Sequence, residues 1–424
     1  MKGILPILAR VALGLVLLVS FGLDLYNTAL GGAIDLRNRV TGVRLLTHQI
    51  DPYRYKWHEP EPEEYCDPYN NPNLPVSKTT ATPSLLLVDL PLAPLPYRIG
   101  QFLWFFFQWL VLLGTTWLWL YRCTTSHQRW LVALFATGFT YTAAWRLHAE
   151  RGQAYVLLLF LFACWLNLTL DPKRSHRFAA GFLAGLLATL RPPFLLLVPF
   201  LALHRRSQLP GAAVGLLLGI GLPMFWDLSC WPDYFSAMQS QSEVYRTDFS
   251  PHYAQAYPPR IEGIPTEQIL AHFVPIPFAD FSAHALLRWL GLAPFPAFPV
   301  LLVAMAFFAL WLWLARKRQA EGLLLGLASW LFLIDLFLPA FRNAYNDVLI
   351  LNVAALSLIA PTRSSRGTWL CLFALPVGWA VYAFTPKQAW LINLPTLCFT
   401  FGAILFLFSL GETLKANHKP RPQR

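Results

Sequence analysis

The run GQFLWFFFQWLVLLGTTWLWLY at residues 100–121 decides the fold class: it holds 22 residues without a charge and ends at Arg122. A helix needs about 20 apolar residues to cross the hydrocarbon core of a bilayer, so this run is a membrane span. The same unit recurs on both sides of it. Apolar runs stand near 4–22, 130–146, 154–170, 178–190, 193–204, 211–226, 294–314, 322–339, 346–361, 367–384 and 391–410. Of the whole chain 56% is hydrophobic and 13% charged, and the second figure is about half that of a soluble domain. A water-soluble enzyme is excluded, and so is a β-barrel, whose strands would be short and alternating. The expected fold is an all-α polytopic membrane protein of about 10–12 transmembrane helices.

The runs 178–190 and 193–204 fall short of a full span, and Arg191-Pro192-Pro193 parts them. Two short helices and a hairpin inside the protein are both open, and either returns the chain to the side it left. The first run lacks a small-residue cleavage site after it and is expected to stay as an anchor.

The net charge of +11 does not mark a nucleic-acid partner, because the basic residues stand at span ends, where they set orientation. One side carries 17 of them: Lys2, Arg122, Arg129, Lys173, Arg174, Arg177, Arg205, Arg206, Arg316, Lys317, Arg318, Arg363, Arg366, Lys415, Lys419, Arg421 and Arg424. The short connectors opposite carry five: Arg146, Arg151, Arg191, Arg342 and Lys387. The positive-inside rule then puts both termini in the cytoplasm. The expected order is a first transmembrane helix (1–22), a first outer loop (23–99), a transmembrane bundle (100–226), a second outer loop (227–293), a C-terminal bundle (294–410) and a basic cytoplasmic tail (411–424).

Outer loops this long are usually functional. Within the first, Asp35–Gln49 reads as an interfacial amphipathic helix. Thr82–Leu95, punctuated by Pro83, Pro91 and Pro94, reads as a short helix on or in the outer leaflet. Cys66 and Cys230 both fall outside, where a disulfide is permitted, and a bridge between them would tie the two outer loops together. There is no metal-ligand spacing among Cys and His, no phosphate-cradling glycine loop and no Gly-x-Ser-x-Gly elbow. No metal or cofactor is therefore expected.

Four polar constellations interrupt this apolar chain. The first is Asp35-Leu36-Arg37-Asn38-Arg39, followed by Asp51-Pro52-Tyr53-Arg54-Tyr55-Lys56-Trp57. A carboxylate just beyond the first span is placed to take a proton from a hydroxyl, or else to cap the next helix. Arg37 and Arg39 can pair with it or grip phosphate, and Tyr53, Tyr55 and Trp57 can stack on a sugar or mark the membrane interface. The second, Arg146-Leu147-His148-Ala149-Glu150-Arg151-Gly152-Gln153, packs hydrogen-bonding groups between two spans. The third is Arg191, a charge at membrane depth that needs a partner or a function. The fourth is Arg342-Asn343-Ala344-Tyr345-Asn346-Asp347, with Asp335 shortly before it. Arg342 and Arg191 are the candidates for a lipid phosphate, with snorkelling to the interface as the alternative.

These motifs resemble, in order and spacing, the GT-C-type membrane glycosyltransferases of the polyprenyl-phosphate-mannose-dependent α-mannosyltransferase family, glycosyltransferase family 87. Asp35 with Asp51-Pro52-Tyr53 is similar to the family's Asp-Phe-x-x-Tyr…Asp-Pro-Tyr opening. Thr82-Pro83 leads into an apolar stretch, and Pro96 precedes a Trp-bearing span. Glu150-Arg151-Gly152-Gln153 stands where the family has Asn-Gly-Gln, and Leu190-Arg191-Pro192, after Gly181 and Gly185, where it has Lys-Pro. The likeness covers most of residues 1–360. It implies an inverting transfer of mannose or a related sugar from a polyprenyl-phosphate donor to a glycan or glycolipid hydroxyl, on the extracytoplasmic side of the plasma membrane. Asp35 is then the general base, and Arg342 and Arg191 bind the donor phosphate without a metal. Arg37, Arg39, Asp51, Tyr53, Lys56, Trp57, Arg146, His148, Glu150, Gln153, Asn343, Tyr345 and Asn346 are expected to line the substrate site. The rival readings are a multi-span transporter or lipid flippase, which favours matched broken helices, and a non-catalytic envelope scaffold.

Overall fold

The computed structural model describes residues 4–66, 75–77, 79–171, 173, 175–247, 264–271, 282, 284, 287, 291–292, 296–314, 320–338 and 342–359. The expected spans 367–384 and 391–410 and the tail 411–424 lie outside the described residues. Among those described, the regular structure is helical, without strands, as the bilayer demands of a chain whose backbone must satisfy itself.

The first helix, α1 (Ile4–Gly31), runs nine residues beyond the expected end at 22. Asp24 ends the apolar run but not the helix, because the indole Nε1 of Trp145 donates to its carboxylate at 2.7 Å. A left-handed Ala33 (φ 49°) turns the chain into α2 (Ile34–Thr47). A short α3 (Pro83–Val88) follows, capped by the Thr82 hydroxyl, and then α4 (Tyr97–Arg122).

The expected span 130–146 is two helices, α5 (Ser126–Phe139) and α6 (Ala143–Arg151). The Thr142 hydroxyl accepts from the Trp145 backbone N–H at 3.3 Å and so starts a new helix where one continuous run was expected. α6 meets α7 (Tyr155–Leu170) at a bend of 115°. Among the described residues three helices are long and apolar enough to cross a membrane, at Ile7–Gly31, Tyr97–Arg122 and Arg206–Met224, or four if the bent α6–α7 pair is one span. The expected runs at 178–190, 193–204, 294–314, 322–339 and 346–361 appear as shorter apolar helices.

α8 (His176–Leu190) ends at the predicted break, and Pro192–Leu196 forms a 3-10 turn before α9 (Leu197–His204). Two short elements are thus the form the open alternative takes. α8 packs tightly on α10 (Leu209–Met224). Gly181 and Gly185 face Gln208 and Ala212, while Gly211 and Gly215 face Phe178 and Phe182, with backbone where a side chain would otherwise stand. Paired small residues four apart let two backbones approach within a membrane. Beyond α10 lie α11 (Cys230–Thr247) and the apolar helices Ala297–Leu314, Ala320–Phe337 and Ile350–Ile359.

α2 does not present the exposed polar face expected of an amphipathic helix. Twelve of its fourteen residues are buried, its three arginines among them. The charges are met by protein groups: Arg44 donates to the carbonyls of Ala93 (2.8 Å) and Leu95 (2.9 Å), and Arg37 to that of Glu63 (2.9 Å). Buried guanidinium groups become tolerable once carbonyls and carboxylates surround them. The Cys230 thiol is free, so no bridge to Cys66 forms. The segments after α1 and after α10 meet instead through Tyr53 and Tyr234, whose ring centres lie 5.5 Å apart, and through Arg54, which donates to Ser236 Oγ at 2.6 Å.

Candidate active site

The first and second constellations meet at Asp35, whose partner Arg151 lies 116 positions further along the sequence. Arg151 grips its carboxylate through Nε to Oδ2 at 2.6 Å and Nη2 to Oδ1 at 2.7 Å. Gln153 Nε2 donates to the same Oδ2. A carboxylate has about four lone-pair directions, so these bonds leave one on Oδ1. The Asp35 side chain keeps 13% of its surface open. It does not cap α2: the cap position is Ala33, and Asp35 sits in the first helical turn with its carboxylate turned to Arg151.

The loop that carries Arg151 and Gln153 is locked against α2. Gly152 adopts φ +67° after the last residue of α6. A Cβ there would meet that of Leu36 at 2.7 Å and that of Ala33 at 3.0 Å. Arg39 Nη2 donates to the Gly152 carbonyl at 2.8 Å, while its Nε holds Asp89 at 2.7 Å. Burial pushes the Asp89 carboxyl above its usual range, against the pull of the Arg39 charge. α1 holds the α5–α6 junction and α6 from the other side, through Ser20 to the Thr140 carbonyl, Trp145 to the Asp24 carboxylate and Thr28 to the Ala149 carbonyl.

A second charged cluster gathers the third and fourth constellations. Arg191 donates to Asp335 Oδ1. Arg342 donates to Asp335 Oδ2 at 3.0 Å and stands 2.6 Å from Asp347 Oδ1. Arg342 has no exposed side-chain surface, whereas Arg191 keeps 13%. The Arg191 guanidinium lies 4.1 Å from the centre of the Tyr155 ring, which stacks on Tyr345 at 5.6 Å. Tyr155 follows Gln153 by two residues and is within electrostatic reach of both Arg191 and Asp35. The α6–α7 bend thus carries contacts of both clusters.

The remaining expected site residues make local contacts. Tyr53 is fully buried and donates to the Ala81 carbonyl at 3.0 Å. Asp51 accepts from the Tyr53 backbone N–H at 2.8 Å, closing a turn, and burial together with the nearby Asp233 raises its carboxyl. Lys56 donates to the Val76 carbonyl at 2.7 Å, and Trp57 Nε1 to the Glu61 carbonyl at 3.0 Å. His148 is fully buried, stacked on Trp145, and accepts from the Val156 backbone N–H at 3.0 Å. Arg37 lies over the Tyr97 ring and Arg146 over that of Tyr141. Glu150 packs on Gly31. Asn343 and Asn346 are buried and joined by a turn bond of 3.1 Å.

Arg151 and Asp335, which the expected site left without a role, hold the two clusters together. A lone acid inside the apolar run 322–339 was a usable signal for Asp335, since such a charge must be compensated.

No curated protein and no solved structure matches the chain. The family model of glycosyltransferase family 87 matches residues 80–339. With α8, Arg191 and Asp335 inside that match, and with more than half of the sequence covered, this membrane-embedded chain belongs to glycosyltransferase family 87.

Proposed function

We propose that this glycosyltransferase moves a sugar from a polyprenyl-phosphate donor to a glycan or glycolipid hydroxyl on the extracytoplasmic face, with inversion and with Asp35 as the base. The observation that carries the reading is the convergence of Arg151 and Gln153 on Asp35. The two guanidinium bonds and the amide orient the carboxylate and leave one Oδ1 lone pair toward which an acceptor O–H can point. As the acceptor oxygen bonds to the anomeric carbon, its proton passes to Asp35, and the bond from that carbon to the phosphate oxygen breaks. Such general-base assistance is worth about 10²–10⁴ in rate.

The leaving phosphate carries away the electron pair and needs positive charge beside it. Arg191 is the more accessible guanidinium and is assigned the direct contact, with Arg342 behind it across Asp335. The polyprenyl chain lies among the apolar helices. Orientation rests on the basic-residue bias, which puts the α1–α2 junction, the α6–α7 bend and the end of α8 on the outer side.

Purified protein in vesicles, given labelled polyprenyl-phosphate hexose, nucleotide sugar or polyprenyl-diphosphate sugar, tests the donor class. Transfer from the monophosphate lipid alone is expected; transfer from a nucleotide sugar alone would overturn the reading. Single cysteines in place of exposed Glu64 and Ser126 test sidedness in intact cells. Glu64→Cys should label from outside and Ser126→Cys should not; the reverse pattern would invert the orientation.

A further inference from the structure

The cluster around Arg191 holds two guanidinium groups and two carboxylates, and Asp335 is the one both arginines share. Arg342 has a second carboxylate in Asp347, at 2.6 Å. Arg191 has no other acidic partner among the described residues, and its Nε is buried without a hydrogen bond. It also sits over the Tyr155 ring at 4.1 Å, which fixes the plane of its fork.

We propose that Asp335 is a displaceable counter-ion and a determinant of donor affinity: it compensates Arg191 in the resting enzyme and yields that guanidinium to the donor phosphate. This rests on the assignment of Arg191 as the phosphate contact. An arginine among apolar helices cannot be left uncompensated. A phosphate oxygen offers the same charge and the same fit to a guanidinium fork as the carboxylate it displaces. Arg191 therefore stays paired throughout the exchange, and Asp335 remains held by Arg342.

The arrangement has a consequence for recognition. A phosphate must compete with a carboxylate already in place, so a weakly held free phosphate is refused and a donor with further contacts along its lipid is accepted. Specificity of this kind comes from an unfavourable exchange for the wrong ligand. Asp335 is a positioning and specificity residue, not a group that touches the reacting atoms.

The test uses the full chain in detergent or nanodiscs, with a short prenyl phosphate and inorganic phosphate as probes. In Asp335→Asn the shape stays and the charge goes. Relative to wild type, the variant should melt earlier without ligand and bind prenyl phosphate about tenfold more tightly. It should gain a larger thermal shift from inorganic phosphate and show a lower donor KM without a higher kcat. A merely structural role predicts the earlier melting alone. Should the variant fail to fold without ligand, purification in prenyl phosphate is expected to recover it. Prenyl-phosphate affinity unchanged or weaker, or no recovery at saturating prenyl phosphate, would overturn the counter-ion role. Wild-type protein that binds no prenyl phosphate, or Arg191→Gln that binds it as well as wild type, would instead strike the underlying assignment of Arg191.

Discussion

Arg151 holds Asp35 by two parallel hydrogen bonds of 2.6 and 2.7 Å, joining the last residue of α6 to the first turn of α2 across 116 positions of sequence. A fork of this kind sets both the plane and the depth of the carboxylate. Lysine offers one point of charge and no fork. Arg151→Lys should therefore keep the fold and the donor KM while kcat falls about 10²-fold, the scale of an ångström's misplacement of a reacting group. Steady-state transfer rates with the donor varied check this, and an unchanged kcat would show that the geometry of Asp35 does not depend on the fork.

Gly152 makes a close approach between the α6–α7 bend and α2. Its φ of +67° and the Leu36 Cβ at 2.7 Å leave no room for a methyl group. Gly152→Ala should destabilise by about 1–3 kcal/mol through backbone strain and the clash. Because the same loop carries Arg151 and Gln153, transfer should fall along with the melting temperature. A thermal melt alongside an activity assay measures both.

Asp51 is a carboxylate whose fold opposes its charge. Burial, and then Asp233, raise it above its ordinary value of 3.8. A group raised in the folded state contributes its full stability below the unfolded value and loses it as pH rises through the folded one. Asp51→Asn removes the charge and keeps an oxygen to accept from the Tyr53 N–H. The variant should be slightly more stable near pH 7, by up to about 1 kcal/mol for a site that is only partly buried, and the gain should vanish below about pH 4. Melting curves at pH 7 and pH 4 read the sign directly.

Much of the helical order was legible because the bilayer imposes a length and an apolar content that few other constraints mimic. The break at Arg191-Pro192-Pro193 was legible for the same reason: proline ends a helix whose next N–H it lacks. The split of 130–146 was harder to see, because Thr142 acts as a cap only once Trp145 is helical and aimed at Asp24. The burial of α2 was hidden by its own composition. Three arginines on one short helix read as a wet face until their partners are seen: the carbonyls of Glu63, Ala93 and Leu95 for Arg37 and Arg44, and Asp89 with the Gly152 carbonyl for Arg39.

For the site, the acids and bases were visible but their pairing was not. Asp35 stood out by its place after the first span, while its partner Arg151 lies 116 positions away, and no local pattern links them. Arg342 read as a phosphate ligand, with Arg191 as an alternative or second contact, because both guanidinium groups have few acids near them in sequence. Arg342 is fully buried with two carboxylates beside it, and Arg191 keeps the open edge.

The central claim is that Asp35 takes the acceptor's proton, and single-turnover transfer by Asp35→Asn tests it most directly. Asparagine keeps one acceptor oxygen for Arg151 and removes the basicity. With folding verified by size exclusion and donor binding verified with prenyl phosphate, the account predicts that transfer falls about 10²–10⁴-fold while donor affinity stays close to wild type. Transfer within tenfold of wild type in a folded, donor-binding Asp35→Asn protein would contradict it and return Asp35 to a purely structural partner of Arg151.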